Sequence, residues 1–349
     1  MKSFLSFVII LLLLTGCGEK KEGTTPEKTS EENLTVDTSD ISTTPLENPN
    51  ESFRMRYSFT LNKDYKYRIA TLTDNVQTIK ADTTISQRAN QNIIYLLSLK
   101  PTEIDSDNST EFVCNFYSVK VEAIVNGQTF TYQSGVTTDS LEKAKYSEYE
   151  ALINNPFNIR INKVGEVIDI FKADKILSKF LALRNMSDSL ASDQKNTIKE
   201  QITQGGIKPL LSQVFRKIPE KLVAKDSVWT YQQPPSSLLV FQLNSTNIYK
   251  ISSLEKFKED KVAVINASLE TKITGNNKVT EQGFTYEFKK PETEASGKIY
   301  FNVDKGCIQK ARVKTKLVIS YTMEGDTPAG KQKGSRSEVL EYTNIVELL

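Results

Sequence analysis

Between Ile308 and Tyr321 the chain alternates: Ala311, Val313, Leu317 and Ile319 share one parity, and Lys310, Arg312, Lys314 and Lys316 the other. A period of two sends successive side chains to opposite faces of an extended backbone, so this stretch fits a strand with one apolar face. Strand-like runs fill the last third, at Leu238 to Ile251, Val262 to Ile273, Phe284 to Lys289, Gly297 to Val303 and Ser337 to Val346. Asn276-Asn277 and Asp304-Lys305-Gly306 are turn residues between them. Near the start Met55, Tyr57, Phe59 and Leu61 alternate, Asn62-Lys63-Asp64 turns, and Tyr65, Tyr67, Ile69 and Thr71 alternate again. Ile93 to Leu99 is an apolar strand ended by Lys100-Pro101, and Asn126-Gly127 is a two-residue hairpin signal between Glu111 to Val125 and Gln128 to Gln133. On the first hairpin arm Phe112, Cys114 and Phe116 take one parity, whereas Val119, Val121, Ala123 and Val125 take the other. That switch predicts a bulge near Tyr117.

The middle of the chain is helical in pattern. Thr138-Asp139 can cap a helix running to Asn154, with Leu141, Ala144, Tyr149, Leu152 and Ile153 on its apolar side and Pro156 as its stop. Phe157, Ile159 and Ile161, a turn at Lys163 to Gly165, and Val167, Ile168 and Ile170 predict a hairpin. Further helices are expected over Ala173 to Met186, Leu190 to Ile202 and Lys208 to Phe215, punctuated by Gly205-Gly206 and Pro209. Strands, then helices, then strands, without strand-helix-strand alternation, predict an α+β fold. Its core is a large, curved, mostly antiparallel sheet with several helices packed on one face, and residues 53–349 form a single domain.

The N-terminus has a different character. Lys2 precedes an apolar run from Phe4 to Leu14, too short to span a bilayer, which needs about 20 apolar residues. Leu14-Thr15-Gly16-Cys17 closes it and resembles the lipobox of bacterial lipoproteins. The resemblance implies a signal peptide over residues 1–16, cleavage between Gly16 and Cys17, and lipid on Cys17 that anchors the chain to a membrane. Each buried acyl methylene contributes about 0.8 kcal/mol, so several chains on one residue hold firmly. The setting would be a bacterial cell envelope, at the outer membrane or cell surface rather than the inner membrane. From Gly18 to Ser52 the residues are mostly Thr, Ser, Glu, Lys, Pro and Asn, so residues 17–52 are expected as a lipidated cysteine and a disordered tether.

Of three cysteines in 349 residues, Cys114 and Cys307 remain. In an oxidising envelope they form one candidate disulfide; two separate buried thiols in apolar strands are the alternative. The chain has no histidine, which removes Ser-His-Asp and Cys-His mechanisms and histidine zinc sites. No catalytic, cofactor or metal residues stand out, and an enzyme is the weaker expectation. A formal charge of +2 argues for no nucleic-acid partner.

Other features have modest readings. The row Lys310, Arg312, Lys314, Lys316 is either a ladder for an anionic headgroup or polysaccharide, or a solvated outer face; the second is favoured. Asp105-Ser106-Asp107-Asn108-Ser109 lacks the glycine and glutamate of a calcium loop and reads as an acidic turn. Trp229, the only tryptophan, reads as a packing anchor where helix gives way to strand.

Three passages resemble a family of bacterial lipoproteins with no assigned activity. They are Phe215 to Lys221 followed by Asp226-Ser227-Val228-Trp229, Leu152 to Val167 through Pro156-Phe157, and Gly297 to Phe301 with Gly306 and an alternating strand. That family often has glycine before the aspartate, where this chain has Lys225. More distantly, a curved sheet under helices is similar to the half-barrels of lipoprotein carriers and mycobacterial lipid-binding proteins. The family resemblance implies no activity; a large antiparallel sheet with a helical cover, in a chain without marked catalytic groups, leads us to expect a lipid or other hydrophobic ligand in a cleft between sheet and helices. A structural or protein-interaction module with an envelope partner is the second expectation, and a carboxylate-based hydrolase the third.

Overall fold

The computed structural model describes residues 34–349, apart from 187–188, 282 and 328–329. The signal peptide, Gly16 and Cys17 lie outside the described residues. The N-terminal strands are β1 (Thr44–Pro45), β2 (Tyr65–Lys80), β3 (Thr84–Ile104), β4 (Thr110–Val125) and β5 (Gln128–Gln133). The helical section holds α1 (Ser140–Lys145), α2 (Ser147–Glu150), β6 (Phe157–Ile161), β7 (Val167–Phe171), α3 (Asp174–Leu183), α4 (Ser192–Glu200), a π-helical stretch (Gln201–Ile207) and α5 (Lys208–Val214). The C-terminal strands are β8 (Val228–Gln232), β9 (Ser236–Leu238), β10 (Phe241–Phe257), β11 (Asp260–Gly275), β12 (Lys278–Glu281), β13 (Phe284–Phe288), β14 (Glu292–Asn302), β15 (Cys307–Thr327) and β16 (Gly330–Leu348).

All these strands join one open antiparallel sheet, whose main path runs β1-β10-β11-β14-β15-β16-β2-β3-β4-β6-β7, with β5 paired to β4, β8 and β9 to β10, and the β12–β13 hairpin to β15. The last long strand, β16, pairs with the first, β2, from Leu348↔Tyr67 to Ser335↔Lys80, and so joins the N-terminal and C-terminal halves. The Asn126-Gly127 turn carries positive φ at both residues, as a tight hairpin requires. The expected bulge is present: the β3–β4 register slips between Leu96↔Ser118 and Leu97↔Phe116, leaving Tyr117 as the extra residue. Phe116 and Val119 can therefore both face the core.

Register divides the sheet into two faces. One face carries Tyr67, Ile69, Leu97, Leu99, Phe112, Ile265, Phe301 and Val346 in the main core, under α5 and its neighbours. The helices cover only part of that face, so the α+β packing holds over one end of the sheet. Two helical expectations change in detail. The helix expected to Asn154 is two short pieces meeting at Tyr146, and Gly205-Gly206 does not interrupt the helix but lies in its widened turn.

The alternating segment Phe53 to Thr60 is extended but forms no ladder. Phe53, Met55, Tyr57 and Phe59 are buried; an isolated bridge in which Phe53 and Val223 exchange two hydrogen bonds, and one bond from Ser58 N–H to Gly306 O, stand in place of a partner strand. Its period of two comes from packing. Tyr57 meets Phe301 at 5.5 Å and Phe59 meets Phe112 at 4.9 Å, so this segment ties the two halves of the sheet together. The Tyr57 hydroxyl donates to Arg216 O and accepts from Arg216 N, both at 2.8 Å.

The described part of the expected tether is also ordered. Leu34 and Val36 sit on Ala70, Ile94, Leu96 and Ile345; Ile41 sits on Val262, Val264 and Tyr300. These residues form the second face of the sheet. Asp37 pairs with Lys310, Asp40 with Lys298, and β1 pairs with β10 at Lys256 and Glu255. Residues 34–45 thus form a strap that crosses the strands from β3 to β10. Its apolar residues are too sparse to build a core, yet each adds to a surface the sheet already provides.

Candidate functional site

An open cleft of about 460 Å³ lies where Asp174 and Lys175 of α3 meet Val113, Pro156, Asn158 and Lys172, whereas the core layer beneath α5 is filled. A cavity there, lined by Met55, Tyr57, Trp229, Tyr249, Ile265 and Phe301 among others, has a volume of about 10 Å³. A bound water needs at least about that much, and ligand pockets run to several hundred Å³. The core layer lined by these residues is therefore not where a lipid fits. The reason is the aromatic content of the segment from Phe53 and of the Phe215 region, which closes the layer with ring contacts.

Beyond the helical cover the long strands continue. Following register outward from Ile69 and Val346, the helix-side face holds Val313, Leu317, Ile319, Tyr321 and Met323 on β15, and Leu340 and Tyr342 on β16. Leu269 and Ile273 of β11 share that parity, as do Tyr286 and Phe288 of β13, whose rings stack beside Tyr321. The β15 and β16 side chains named here are partly exposed. The opposite face of the same strands carries Arg312, Lys314, Lys316, Glu341, Glu292 and Glu294. The helix side of the outer sheet thus holds an apolar patch centred on β15 beside polar residues of β2 and β16, and on the opposite face the charged residues flank an apolar row of Val318, Val339 and Val76.

Polar residues share this face: Thr71, Thr73, Asn75 and Gln77 on β2, Asn344, Glu338 and Arg336 on β16, and Thr315 on β15. Glu338, only 6% exposed, accepts from Asn75 Nδ2 at 2.9 Å and from Arg336 Nη2 at 2.8 Å. Glu338 lies opposite Ile319 and Gln77, and Asn75 opposite Leu340. Sequence reasoning missed this cluster. The available signal was parity, since Asn75 and Gln77 continue the core side of β2, and Arg336 and Glu338 that of β16.

The basic row divides. Lys310 is 2% exposed beneath the strap, its ammonium 2.9 Å from Asp37 and 3.9 Å from Glu347; Lys314 pairs with Glu341 at 2.7 Å. The Lys310 ammonium and the Ser39 hydrogen bonds hold the Asp37 carboxyl well below the usual carboxylate range. Arg312 and Lys314 are exposed as on a solvated outer face, whereas Lys310 is buried beneath the strap. Cys114 and Cys307 are both buried and free. They lie on β4 and β15, four strand positions apart, or about 19 Å along the sheet, so the candidate disulfide does not form. Burial pushes the Cys307 thiol up to about 11 and raises Cys114 as well.

Trp229 is a packing anchor: its indole donates to Lys217 O at 3.0 Å and its ring stacks on Tyr249 at 5.4 Å. Asp105 to Ser109 forms the β3–β4 turn, closed by Asp105 N–H to Ser109 O at 2.9 Å. Among the described residues no three His, Cys, Asp or Glu side chains converge as a metal site, and no helix is long and apolar enough to cross a membrane.

Fold and site define a class: a large open antiparallel sheet with a partial helical cover and an uncovered apolar face. Residues 107–308, more than half of the chain, match the model of a family of unknown function, DUF6263, and the protein belongs to that family. No curated protein matches. Among solved structures the chain is similar to lipovitellin, from a study of its lipid–protein interactions, at 10% identity and a TM-score of 0.37. That match covers 84% of this chain and 25% of lipovitellin, so the chain spans a quarter of that protein's length. An outer membrane channel from Pseudomonas putida F1 aligns at 7% identity and a TM-score of 0.19, over 84% of this chain and 97% of the channel. OpdL from Pseudomonas aeruginosa aligns at 6% identity and 0.19, over 82% of this chain and 99% of its own. Likenesses at this level carry no functional argument.

Proposed function

We propose that this protein is a non-enzymatic bacterial envelope lipoprotein, cut between Gly16 and Cys17 and anchored by lipid on Cys17. It holds a lipid or other hydrophobic ligand on the uncovered apolar face of its sheet. The carrying observation is the patch of Val313, Leu317, Ile319, Tyr321 and Leu340 on the helix-side face of the outer strands, side by side and all partly exposed. An apolar face of this extent, half-exposed in a protein with a separate filled core, fits a surface made for contact. An acyl chain burying about eight methylenes there gains about 6 kcal/mol. The Leu14-Thr15-Gly16-Cys17 run supports the anchor, with an outer-membrane or cell-surface location. The openness of the face favours a second reading, in which an envelope protein partner covers it.

Both parts are testable on the full chain purified from its membrane. Native mass spectrometry with lipid extraction should find co-purifying lipid, and Leu317→Asp should abolish it while leaving the fold intact. A lipid-free mass for the wild-type chain, beyond the covalent anchor, would overturn the ligand reading. A stoichiometric protein lost in the same variant would favour the partner reading. Cys17→Ser should release the chain from the membrane fraction; unchanged retention would overturn the anchor.

A further inference from the structure

We propose that the Asn75–Arg336–Glu338 cluster selects the headgroup of the ligand on the apolar face, and that the head is zwitterionic, with N–H donors beside a phosphate. The inference rests on the ligand reading above and names the class of lipid. Among the described residues five buried side-chain nitrogen or oxygen atoms have no hydrogen-bond partner. Two of the five, Asn75 Oδ1 and Arg336 Nε, belong to this one cluster. Native structures leave few such atoms, and both are sealed beneath neighbouring side chains, so a headgroup reaches them as the partly exposed Asn75 and Arg336 side chains turn outward.

The chemistry they ask for is specific. Asn75 Nδ2 is committed to Glu338, so Asn75 turns its carbonyl oxygen away, and that oxygen needs a donor. Arg336 spends Nη2 on Glu338, which leaves guanidinium N–H groups that need an acceptor. Glu338 itself favours a cation nearby, and the Arg336 side chain is 36% exposed and reachable. A phosphoethanolamine head meets all three demands: its ammonium donates to Asn75 Oδ1 and approaches Glu338, and its phosphate accepts from Arg336. A phosphocholine head has the same net charge and no N–H to give.

The apolar track supplies the rest. To the edge of the helical cover the distance along the strands is about 20 Å from Asn75 to Ile69 and about 27 Å from Glu338 to Val346, comparable with an extended acyl chain. Leu340 and Tyr342 of β16, with Val313 and Leu317 of β15, line that path. The head therefore sits on the cluster, and the tail runs toward the core.

The test is competition on the full chain in detergent, read by native mass spectrometry. Equimolar phosphatidylethanolamine and phosphatidylcholine with identical chains are offered together. The expected result is a preference of about fivefold or more for phosphatidylethanolamine, as a charge-assisted hydrogen bond supplies. Asn75→Leu should bring the two lipids to within about twofold while total lipid bound is retained. Equal binding by the wild-type chain, or an undiminished preference in Asn75→Leu, would overturn the headgroup assignment and leave the ligand reading standing. Failure to bind either lipid would overturn the ligand reading itself. Glycerophosphoethanolamine, which has the head and no tail, should bind at least a hundredfold more weakly; equal binding would overturn the lipid assignment in favour of a free solute.

Discussion

Tyr65–Ala70 and Thr71–Ile79 belong to one strand, paired without interruption to β3 on one side and, from Tyr67, to β16 on the other. The first part is core, with Tyr67 and Ile69 at 1% and 0% exposure; the second is half-exposed throughout. Backbone pairing is the same in both, so the difference is the cover. Over the first part lie the segment from Phe53, α5 and Phe215; over the second, among the described residues, no helix lies. Pairing satisfies hydrogen bonds in both places, but a dry core needs a second layer. Strands can therefore outrun the core and leave an ordered apolar face.

The sharpest test of that comparison is a matched truncation. Phe112 is fully buried against Phe59 and Phe215, so Phe112→Ala should destabilise by about 3–5 kcal/mol. Leu317→Ala, on the uncovered face, should cost about 1 kcal/mol or less, since its side chain is already partly in water. Denaturant midpoints of the ligand-free chain measure both, and equal costs would mean that the outer strands are as much core as the inner ones.

Two glycines give a smaller contrast. Gly127 and Gly165 have nearly the same φ, +85° and +87°. An added Cβ meets nothing within 4 Å at Gly127, but at Gly165 it would lie 2.2 Å from the Tyr57 ring and 2.9 Å from Arg216 O. Gly127→Ala should cost about 1 kcal/mol of backbone strain, and Gly165→Ala about 1–3 kcal/mol more. Indistinguishable thermal midpoints would show that the Phe53 segment yields easily and does not clamp the core.

The strap gives the smallest effect, and it depends on pH. Lys310 lowers the folded pKa of Asp37, as Lys298 lowers that of Asp40. A lowered carboxylate pKa stabilises fully above its unfolded value near 4, and the contribution is lost as pH falls toward the folded value. The gap in denaturant midpoint between the wild-type chain and Asp37→Asn should therefore be open at pH 7 and narrow below about pH 4. A gap independent of pH would mean that the strap is held by Leu34, Val36 and Ile41 alone.

Much of this was legible in the sequence wherever the signal was local. The Asn126-Gly127 hairpin, the Tyr117 bulge, the β6–β7 hairpin and the long C-terminal strands follow from turn chemistry and parity. The sequence pattern also placed the lysines of β15 on the face opposite Val313 and Leu317. It misjudged Phe53 to Thr60 because alternation reports a face that is buried and is silent on whether a neighbouring strand or a layer of side chains buries it. It left residues 34–45 in a tether because their few apolar residues have no periodicity to read, and only the finished sheet supplies the surface they need.

By itself the sequence determined the strands, their faces, and the absence of histidine chemistry, because these depend on residues near one another or on composition. Tertiary structure alone decided that β16 closes onto β2, that Cys114 and Cys307 stay four strands apart, and that the core layer beneath α5 is full. It alone brought Asn75 to Arg336 and Glu338, more than 250 residues along the chain. The physical reason is the same in each case. Periodicity records which side of a strand avoids water, but what lies against that side is set by pairings between distant segments, and no local pattern encodes them.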